Sequence, residues 1–337
     1  MEKANNRYKN QHLVYFIVPI YNVNVDEKLL NKSFAGFKIL LNTAIFQKYR
    51  EELYYPDDLF QDIELPQSGM LIKRPTARYV FLKKLYFYNG YNEDINHKNN
   101  VIIDNEIQNF MNLIVAMRLL KSGNIQINRV YILGKAEHHS FNLSISSSLD
   151  AMNNFFIDNK DYNFLSNYAI SKKDLNNTLK IKNNLTKCHQ NLWLPISYFM
   201  SYYKTPNLTD KLIRLCTIWE ATLLNDCENE LNYRLIIRGS AFLEKDLSEI
   251  FKIAYNIRSK LLHTGSIPKL TKLTSLIGSE DKTDISKIFI FLKDYLEPIT
   301  RKIINKFMIN HLKTGKNLKD LSESIDNAIL KKLSRKD

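Results

Sequence analysis

Glycine, proline and cysteine are all scarce in this chain, which has 9, 8 and 3 of them among its 337 residues. So few glycines and prolines argue against long flexible linkers. The three cysteines, Cys188, Cys216 and Cys227, are an odd number and show no Cys-X-X-Cys spacing. We therefore expect a protein of a reducing cytoplasm.

Long apolar runs and several well-known motifs are also missing. No stretch of about 18 apolar residues predicts a membrane span, and the polar N-terminus lacks the apolar core of a signal peptide. The absence of a GxxxxGKS/T loop excludes a P-loop ATPase, and no GxSxG elbow occurs. Apolar residues nevertheless make up 45% of the chain, which is enough to build packed cores.

Basic residues outnumber acidic ones by 48 to 35, so the formal net charge is +13. Such a charge favours an anionic partner such as RNA. The chain is also crowded with lysine, asparagine and isoleucine, a composition that AT-rich genomes produce without any functional reason. Both interpretations stay open here, and the charge supports a nucleic-acid hypothesis without establishing it.

The N-terminal part combines strand and helix patterns. Residues 12–21 and 78–88 are rich in aromatic and β-branched side chains and predict strands. Apolar residues recur at helical spacing over residues 104–121, and residues 125–133 return to an extended pattern. Together these patterns predict an α+β N-terminal domain over residues 1–157.

After residues 158–163, a polar stretch that predicts a domain boundary, nearly every pattern is helical. Helices joined by short connections predict an all-α antiparallel bundle over residues 164–337. Pro298 predicts a kink or break in one of these helices. The helices are predicted over residues 174–189, 208–224, 231–244, 246–263, 283–312 and 318–333.

The predicted helix over residues 246–263 has clear start and stop signals. Asp246 followed by Glu249 resembles a capping box. Gly265 suits a left-handed C-cap, and Pro268 cannot extend the helix. One face of this helix is apolar and is expected to pack against the bundle. That face contains Leu247, Ile250, Phe251, Ala254, Ile257 and Leu261.

Arg258 lies within that apolar face, four positions after Ala254. A guanidinium that faces a packed surface is unfavourable unless it is paired. One interpretation is an ion pair with Glu220 of a preceding helix. The other is that this face forms a cleft or a dimer seam in which a phosphate binds.

His263 lies five positions after Arg258, near the end of the same helix. At about 100° per residue the two side chains leave the helix about 140° apart, whereas Ser259 shares the face of His263. A joint site therefore needs either an unwound last turn near Gly265 or the Arg258 of one subunit beside the His263 of another. Alternatively, His263 only interacts with the helix dipole.

The stretch from Tyr255 to Gly265 reads YNIRSKLLHTG. It resembles the Apea-like pattern of the HEPN ribonuclease superfamily, in which an arginine, a polar residue, a short spacer and a histidine lie on a bundle helix. The extra Thr264 before Gly265 is a small departure from that pattern. The upstream segments RLCTIWEA and LNYRL are also similar to the family, so the resemblance covers residues 208–265 but not the N-terminal domain.

The resemblance implies a helical bundle that dimerises to form one composite site and cleaves RNA without a metal or cofactor. It also implies a place in antiphage defence, abortive infection or toxin systems. RNA carries its own nucleophile, the 2′-OH, so a histidine and an arginine suffice for the chemistry. We expect His263 to transfer the proton and Arg258 to hold the phosphate. Ser259 is expected to orient either of them, Glu220 to hold Arg258, and Tyr255 to line the cleft.

Two other interpretations of the whole chain stay open. The bundle is then either a catalytically inactive HEPN module that binds RNA or mediates assembly, or a scaffold for an N-terminal domain that recognises a ligand or a phage-derived trigger. No metal site is predicted, because neither residues 137–139 nor residues 57–64 have recognisable ligand spacing. An aromatic cluster is interpreted as bundle core rather than as a platform for bases. The cluster consists of Trp193, Tyr198, Phe199, Tyr202 and Tyr203.

Overall fold

The computed structural model describes residues 11–41, 66–67, 70–71, 77–90, 92–123, 125, 127, 130–134, 167–205, 207–227, 229–278 and 282–334. The predicted boundary at residues 158–163 and the residues weighed as metal ligands, 57–64 and 137–139, lie outside these ranges. The chain divides into two compact units. The first takes in the described residues of Met1–Ile114, Gly123–Asp158 and Ser166–Leu179, and the second those of Val115–Ser122 and Lys180–Asp337.

The strands of the described residues belong to the first unit. They are β1 Gln11–Ile20, β2 Val23–Val25, β3 Ser33–Phe34, β4 Phe37–Leu41, β5 Pro66–Gln67, β6 Met70–Leu71, β7 Tyr79–Tyr88, β8 Tyr131–Gly134 and β9 Tyr168–Ile170. Five of them form one sheet with strand order β3-β4-β7-β1-β8, in which every neighbouring pair is antiparallel. The strands predicted over residues 12–21 and 78–88 are confirmed as β1 and β7, which pair with each other, Gln11 opposite Tyr88. The other four form two small pairs, with β2 parallel to β9 and β5 antiparallel to β6.

Helix α1, Glu93–Leu120, packs on this sheet through a cluster of phenylalanines. The ring centroid of Phe110 lies 5.3 Å from that of Phe37, 5.7 Å from that of Phe81 and 6.0 Å from that of Phe16. All four rings are fully buried. Such tilted and edge-to-face ring pairs are the favoured aromatic arrangements. The helix begins at Glu93, well before the predicted residue 104. The prediction missed this start because the first turns are mostly polar and show no apolar period.

The second unit is helical, so the predicted order, a strand-rich region followed by a helical region, is confirmed. The helices predicted over residues 208–224, 231–244 and 246–263 are confirmed to within two residues at each end, and the last one coincides with its prediction over residues 318–333. The short helix Thr271–Ile277 is an element that the sequence did not predict. The helices are α2 Lys172–Lys204, whose first turns belong to the first unit, α3 Leu208–Leu223, α4 Leu231–Leu243, α5 Ser248–Thr264, α6 Thr271–Ile277, α7 Asp284–Ile290, α8 Glu297–Thr314 and α9 Leu318–Leu333. No helix of the described chain is both long and apolar enough to cross a membrane.

Two helical segments contain a proline. Helix α2 continues through Pro195 to Lys204, beyond its predicted end at residue 189, and buried residues of its second half, such as Phe199, pack within the bundle. The helix predicted over residues 283–312, with a kink or break at Pro298, consists of α7, a π-helical turn over Phe291–Leu296, and α8. Pro298 lies in the first turn of α8, directly after the π-helical turn, so the helical pattern changes next to this proline.

The core of the second unit is organised around Trp219, which is fully buried. Its indole N–H donates to Thr300 Oγ1 at 2.8 Å, and its ring lies edge-to-face with Phe251 at 4.8 Å between centroids. Phe251 also packs directly on Gly239 of α4, where a Cβ atom would overlap the phenyl ring. Helices α3, α4, α5 and α8 therefore meet around one tryptophan.

This close approach makes a prediction about Gly239. We expect Gly239→Ala to destabilise the protein by about 1–3 kcal/mol, because an added methyl group in a tightly packed core displaces the Phe251 ring. The measurement is chemical denaturation followed by tryptophan fluorescence. Combining it with Phe251→Leu should cost less than the sum of the two single changes. If the two free-energy changes are additive, the Phe251 ring is not what restricts the size of the side chain at position 239.

A second buried feature is the guanidinium of Arg238 in α4, which is only 1% exposed. It donates to Asp226 Oδ1 and Oδ2 at 2.6 and 2.9 Å, to Asp326 Oδ1 at 2.8 Å and to the Leu223 carbonyl at 2.9 Å. Ser322 Oγ donates to Asp226 Oδ1 at 2.7 Å. The hydrogen bonds from Arg238 hold the pKa of Asp226 well below its usual range. This network connects α4 with α9 and with the end of α3.

Candidate functional site

Helix α5 carries the predicted motif, and its two ends are fixed by local contacts. Asp246 Oδ1 accepts hydrogen bonds from the backbone N–H of Ser248 at 3.1 Å and from its hydroxyl at 2.7 Å. Gly265 adopts the left-handed conformation, with φ of 64°, and its N–H donates to Leu261 O at 2.9 Å. The predicted glycine C-cap is thus confirmed.

Arg258 and Glu220 form the ion pair that the sequence suggested. Arg258 Nη2 lies 2.6 Å from Glu220 Oε2 of α3, and each side chain is 20% exposed. The Tyr255 ring centroid lies 5.9 Å from Arg258 Cζ. Three of the five predicted site residues therefore meet between α3 and α5, at the edge of the bundle core.

The ion pair is incomplete within the described chain. Arg258 Nε and Glu220 Oε1 are both buried, and neither has a hydrogen-bond partner among the described residues. Burial raises the pKa of Glu220, and the charge of Arg258 opposes this rise without cancelling it. A guanidinium offers five N–H donors, so Arg258 can hold Glu220 and still bind a further anion.

The floor of this site is apolar. Cys216, one turn before Glu220, is buried, and burial, followed by the charge of Glu220, raises the pKa of its thiol. A thiol with a raised pKa is a poor nucleophile. Cys216 therefore contributes packing here, and Arg258 and Glu220 carry the polar chemistry of the site.

His263 is exposed and lies on a different face of α5 from Arg258. The helix stays regular through Thr264, so the alternative in which its last turn unwinds is wrong. On a regular helix the two side chains diverge by about 140°. Ser259, half-buried and four residues before His263, shares its face. One chain thus groups Arg258 with Glu220 and Tyr255, and places His263 with Ser259 elsewhere.

The turn that follows His263 is held by Thr264, the residue that departs from the family pattern. Its Oγ1 donates to Lys260 O at 2.9 Å and lies 2.7 Å from Ser266 Oγ. These contacts satisfy polar groups at the helix end. On either side of this turn, Leu262 is 52% exposed and Ile267 is 38% exposed.

The aromatic cluster of α2 lies mostly in the core. Phe199, Tyr202 and Tyr203 are buried, and Tyr203 Oη donates to Glu297 Oε1 at 2.6 Å. Trp193 of the same cluster is 41% exposed. The interpretation as bundle core is confirmed for the three buried rings. Among the described residues, no group of three or more His, Cys, Asp or Glu side chains could hold a metal ion.

Comparisons of the chain with protein-family models, with curated proteins and with solved structures find no match.

Sequence reasoning missed the Arg238 network and the basic residues beside His263. Asp226, Arg238 and Asp326 lie too far apart in the chain for any local pattern to group them. The basic residues did leave a signal, because Lys252, Lys260 and His263 recur at helical spacing with no acidic residue between them.

Proposed function

We propose that this protein is a HEPN-type endoribonuclease that cleaves RNA without a metal at a site shared by two copies of the chain. One observation carries the proposal. An incompletely satisfied arginine, Arg258, lies five residues before an exposed histidine, His263, on a helix with the sequence pattern of that superfamily. We infer a cytoplasmic enzyme of antiphage defence or abortive infection, whose strand-rich unit responds to a phage-derived or other trigger.

The chemistry uses the 2′-OH of RNA as the nucleophile. His263 moves a proton, taken from the 2′-OH or given to the leaving 5′-oxygen. Arg258 stabilises the negative charge that develops on the phosphate. Glu220 holds Arg258, Ser259 orients His263 or the phosphate, and Tyr255 lines the cleft. The P–O5′ bond breaks as the 2′-oxygen attacks. The 2′-OH loses a proton and the leaving 5′-oxygen gains one; His263 makes one of these transfers and water the other, which gives a 2′,3′-cyclic phosphate and a 5′-hydroxyl.

The need for a second copy follows from the helix geometry. Arg258 and His263 of one chain diverge, so one scissile linkage reaches both types of side chain only where two α5 helices meet. The exposed Leu262 and Ile267 beside His263 supply apolar surface for such an interface. A twofold axis near this turn brings the histidine of one protomer towards the arginine of its partner.

The test is incubation of the full-length protein with total RNA in EDTA, followed by mapping of the ends. We expect cyclic phosphate and 5′-hydroxyl ends, with DNA of the same sequence uncut because it lacks the 2′-OH. His263→Ala should leave the RNA intact. His311→Ala is its matched control, since His311 also lies in the last turn of a helix that ends at a glycine in the left-handed conformation. RNA left intact by the wild type, or cleavage that EDTA abolishes, would contradict the proposal.

The second candidate is a catalytically inactive HEPN module that binds RNA or mediates assembly. The Glu220 ion pair favours it, since it partly satisfies Arg258 within one chain. The same experiment separates the two candidates, because the inactive module binds RNA and leaves it uncut in wild type and His263→Ala alike.

A further inference from the structure

The segment around α5 and α6 is depleted of negative charge. The whole chain has 35 aspartates and glutamates in 337 residues, or about one in ten, yet none occurs in residues 250–278. The same segment contains Arg258 and the lysines Lys252, Lys260, Lys269 and Lys272, and all four lysines are exposed. Its charge is therefore uncompensated along the chain.

Part of this charge lies on the face of α5 that carries His263. Lys252, Asn256, Lys260 and His263 follow one another at intervals of four, four and three residues, and all are exposed. This spacing places them along one side of a helix, over a length of about 16 Å from Lys252 to His263. Glu249, in the first turn, bounds this basic face at the end away from His263.

The positive charges of these lysines are also not neutralised by nearby carboxylates of the residues that the structure describes. Within the described chain, none of Lys252, Lys260, Lys269 and Lys272 forms an ion pair, whereas other lysines do, as in the pairs Lys83–Glu106 and Lys306–Glu244. Cations that no carboxylate neutralises raise the local positive potential and attract a polyanion. The basic face is thus a charged surface with no partner among the described residues.

We propose that the basic face of α5 binds the phosphates of single-stranded RNA next to the linkage at His263. This inference deepens the proposed function, on which it rests, by assigning the surface that positions the strand. Apart from the imidazole of His263, the face carries no aromatic side chain on which bases could stack. Lysine binds phosphate as a point charge, so this surface binds the RNA backbone without reading its sequence.

The test measures binding alone, in full-length protein that carries His263→Ala and leaves the RNA intact. A labelled single-stranded RNA is titrated at several salt concentrations, and the slope of log K against log salt is determined. For single strands each phosphate contact contributes about 0.7 to this slope. We expect Lys252→Gln with Lys260→Gln to reduce the slope by about 1.4. Single-stranded DNA of equal length should show the same reduction, because it has the same phosphates.

The matched control is Lys302→Gln with Lys313→Gln, two exposed lysines of α8, and it should leave the slope unchanged. An unchanged slope in the α5 variant, an equal loss in both double variants, or no RNA binding in the parent would overturn the inference. The result is separable from the proposed function. A reduced slope supports the basic face even where wild type leaves RNA uncut, and cleavage with an unchanged slope supports the nuclease alone.

Discussion

Replacing His263 by alanine is expected to lower the rate of RNA cleavage by about 10²–10⁴-fold, the usual contribution of a general acid or base. Because this side chain is exposed, the free energy of unfolding should change by less than about 0.5 kcal/mol. The measurements are initial rates on a defined RNA in EDTA and a thermal denaturation curve. A cleavage rate equal to that of wild type would remove His263 from the mechanism.

Arg258→Ala should lower the same rate by about 10²–10³-fold through loss of charge stabilisation. It also leaves Glu220 unpaired in a partly buried position. A second variant, Arg258→Gln with Glu220→Gln, avoids that problem by replacing the ion pair with two amides. Both variants should lose cleavage, and the double variant should remain the more stable of the two.

Mixing the two inactive proteins tests whether the site is shared. A dimer of one Arg258→Ala chain and one His263→Ala chain still contains one intact arginine and one intact histidine, on different protomers. If the two side chains act across the interface, the mixture regains cleavage that neither protein has alone. Differently tagged chains that dimerise without regaining activity would contradict the shared site.

The largest expected effect on stability comes from Arg238→Ala, which should destabilise the protein by about 3–5 kcal/mol. The change leaves the carboxylate of Asp226, whose side chain is only 11% exposed, without its main partner. Both tryptophans, Trp193 and Trp219, lie in the second unit, so their fluorescence during denaturation reports on the helical region. Arg234→Ala, which removes a partly exposed arginine 3.8 Å from Asp326, should lower the free energy of unfolding by less than about 1 kcal/mol.

The pH dependence of stability provides a second signature of this network. Because the pKa of Asp226 is lower in the folded than in the unfolded chain, the unfolded state binds more protons in acid. The contribution of the Asp226 carboxylate to the free energy of unfolding is complete above the unfolded-state pKa of about 3.9 and is lost as the pH falls below that value. Arg238→Ala should flatten this part of the profile. If the destabilisation caused by Arg238→Ala does not change with pH, the variant loses packing alone and not the interaction with the Asp226 carboxylate.

Individual residues show which features of the fold could be predicted from local sequence patterns. The C-terminal end of α5 followed from Gly265, because capping depends on groups within one turn. The predicted capping box of Asp246 and Glu249 is wrong, since α5 begins at Ser248 after Leu247 and Asp246 accepts from Ser248 instead.

The pairing of Arg258 with Glu220 also followed, because an arginine on an apolar face must find a carboxylate and a preceding helix carried one. The continuation of α2 through Pro195 did not follow, since bundle packing outweighed the local penalty of an internal proline.

The sequence by itself determined most helices of the second unit, the two long strands β1 and β7 of the central sheet and the position of the motif residues on α5, because periodicity and capping are local properties. Only the tertiary structure decided that Arg238 joins two distant aspartates, and that Arg258 Nε and Glu220 Oε1 are buried without a hydrogen-bond partner among the described residues. It also showed that His263 stays on a regular helix, facing away from Arg258. Distances between side chains that are remote in sequence arise from packing, and no local pattern encodes them.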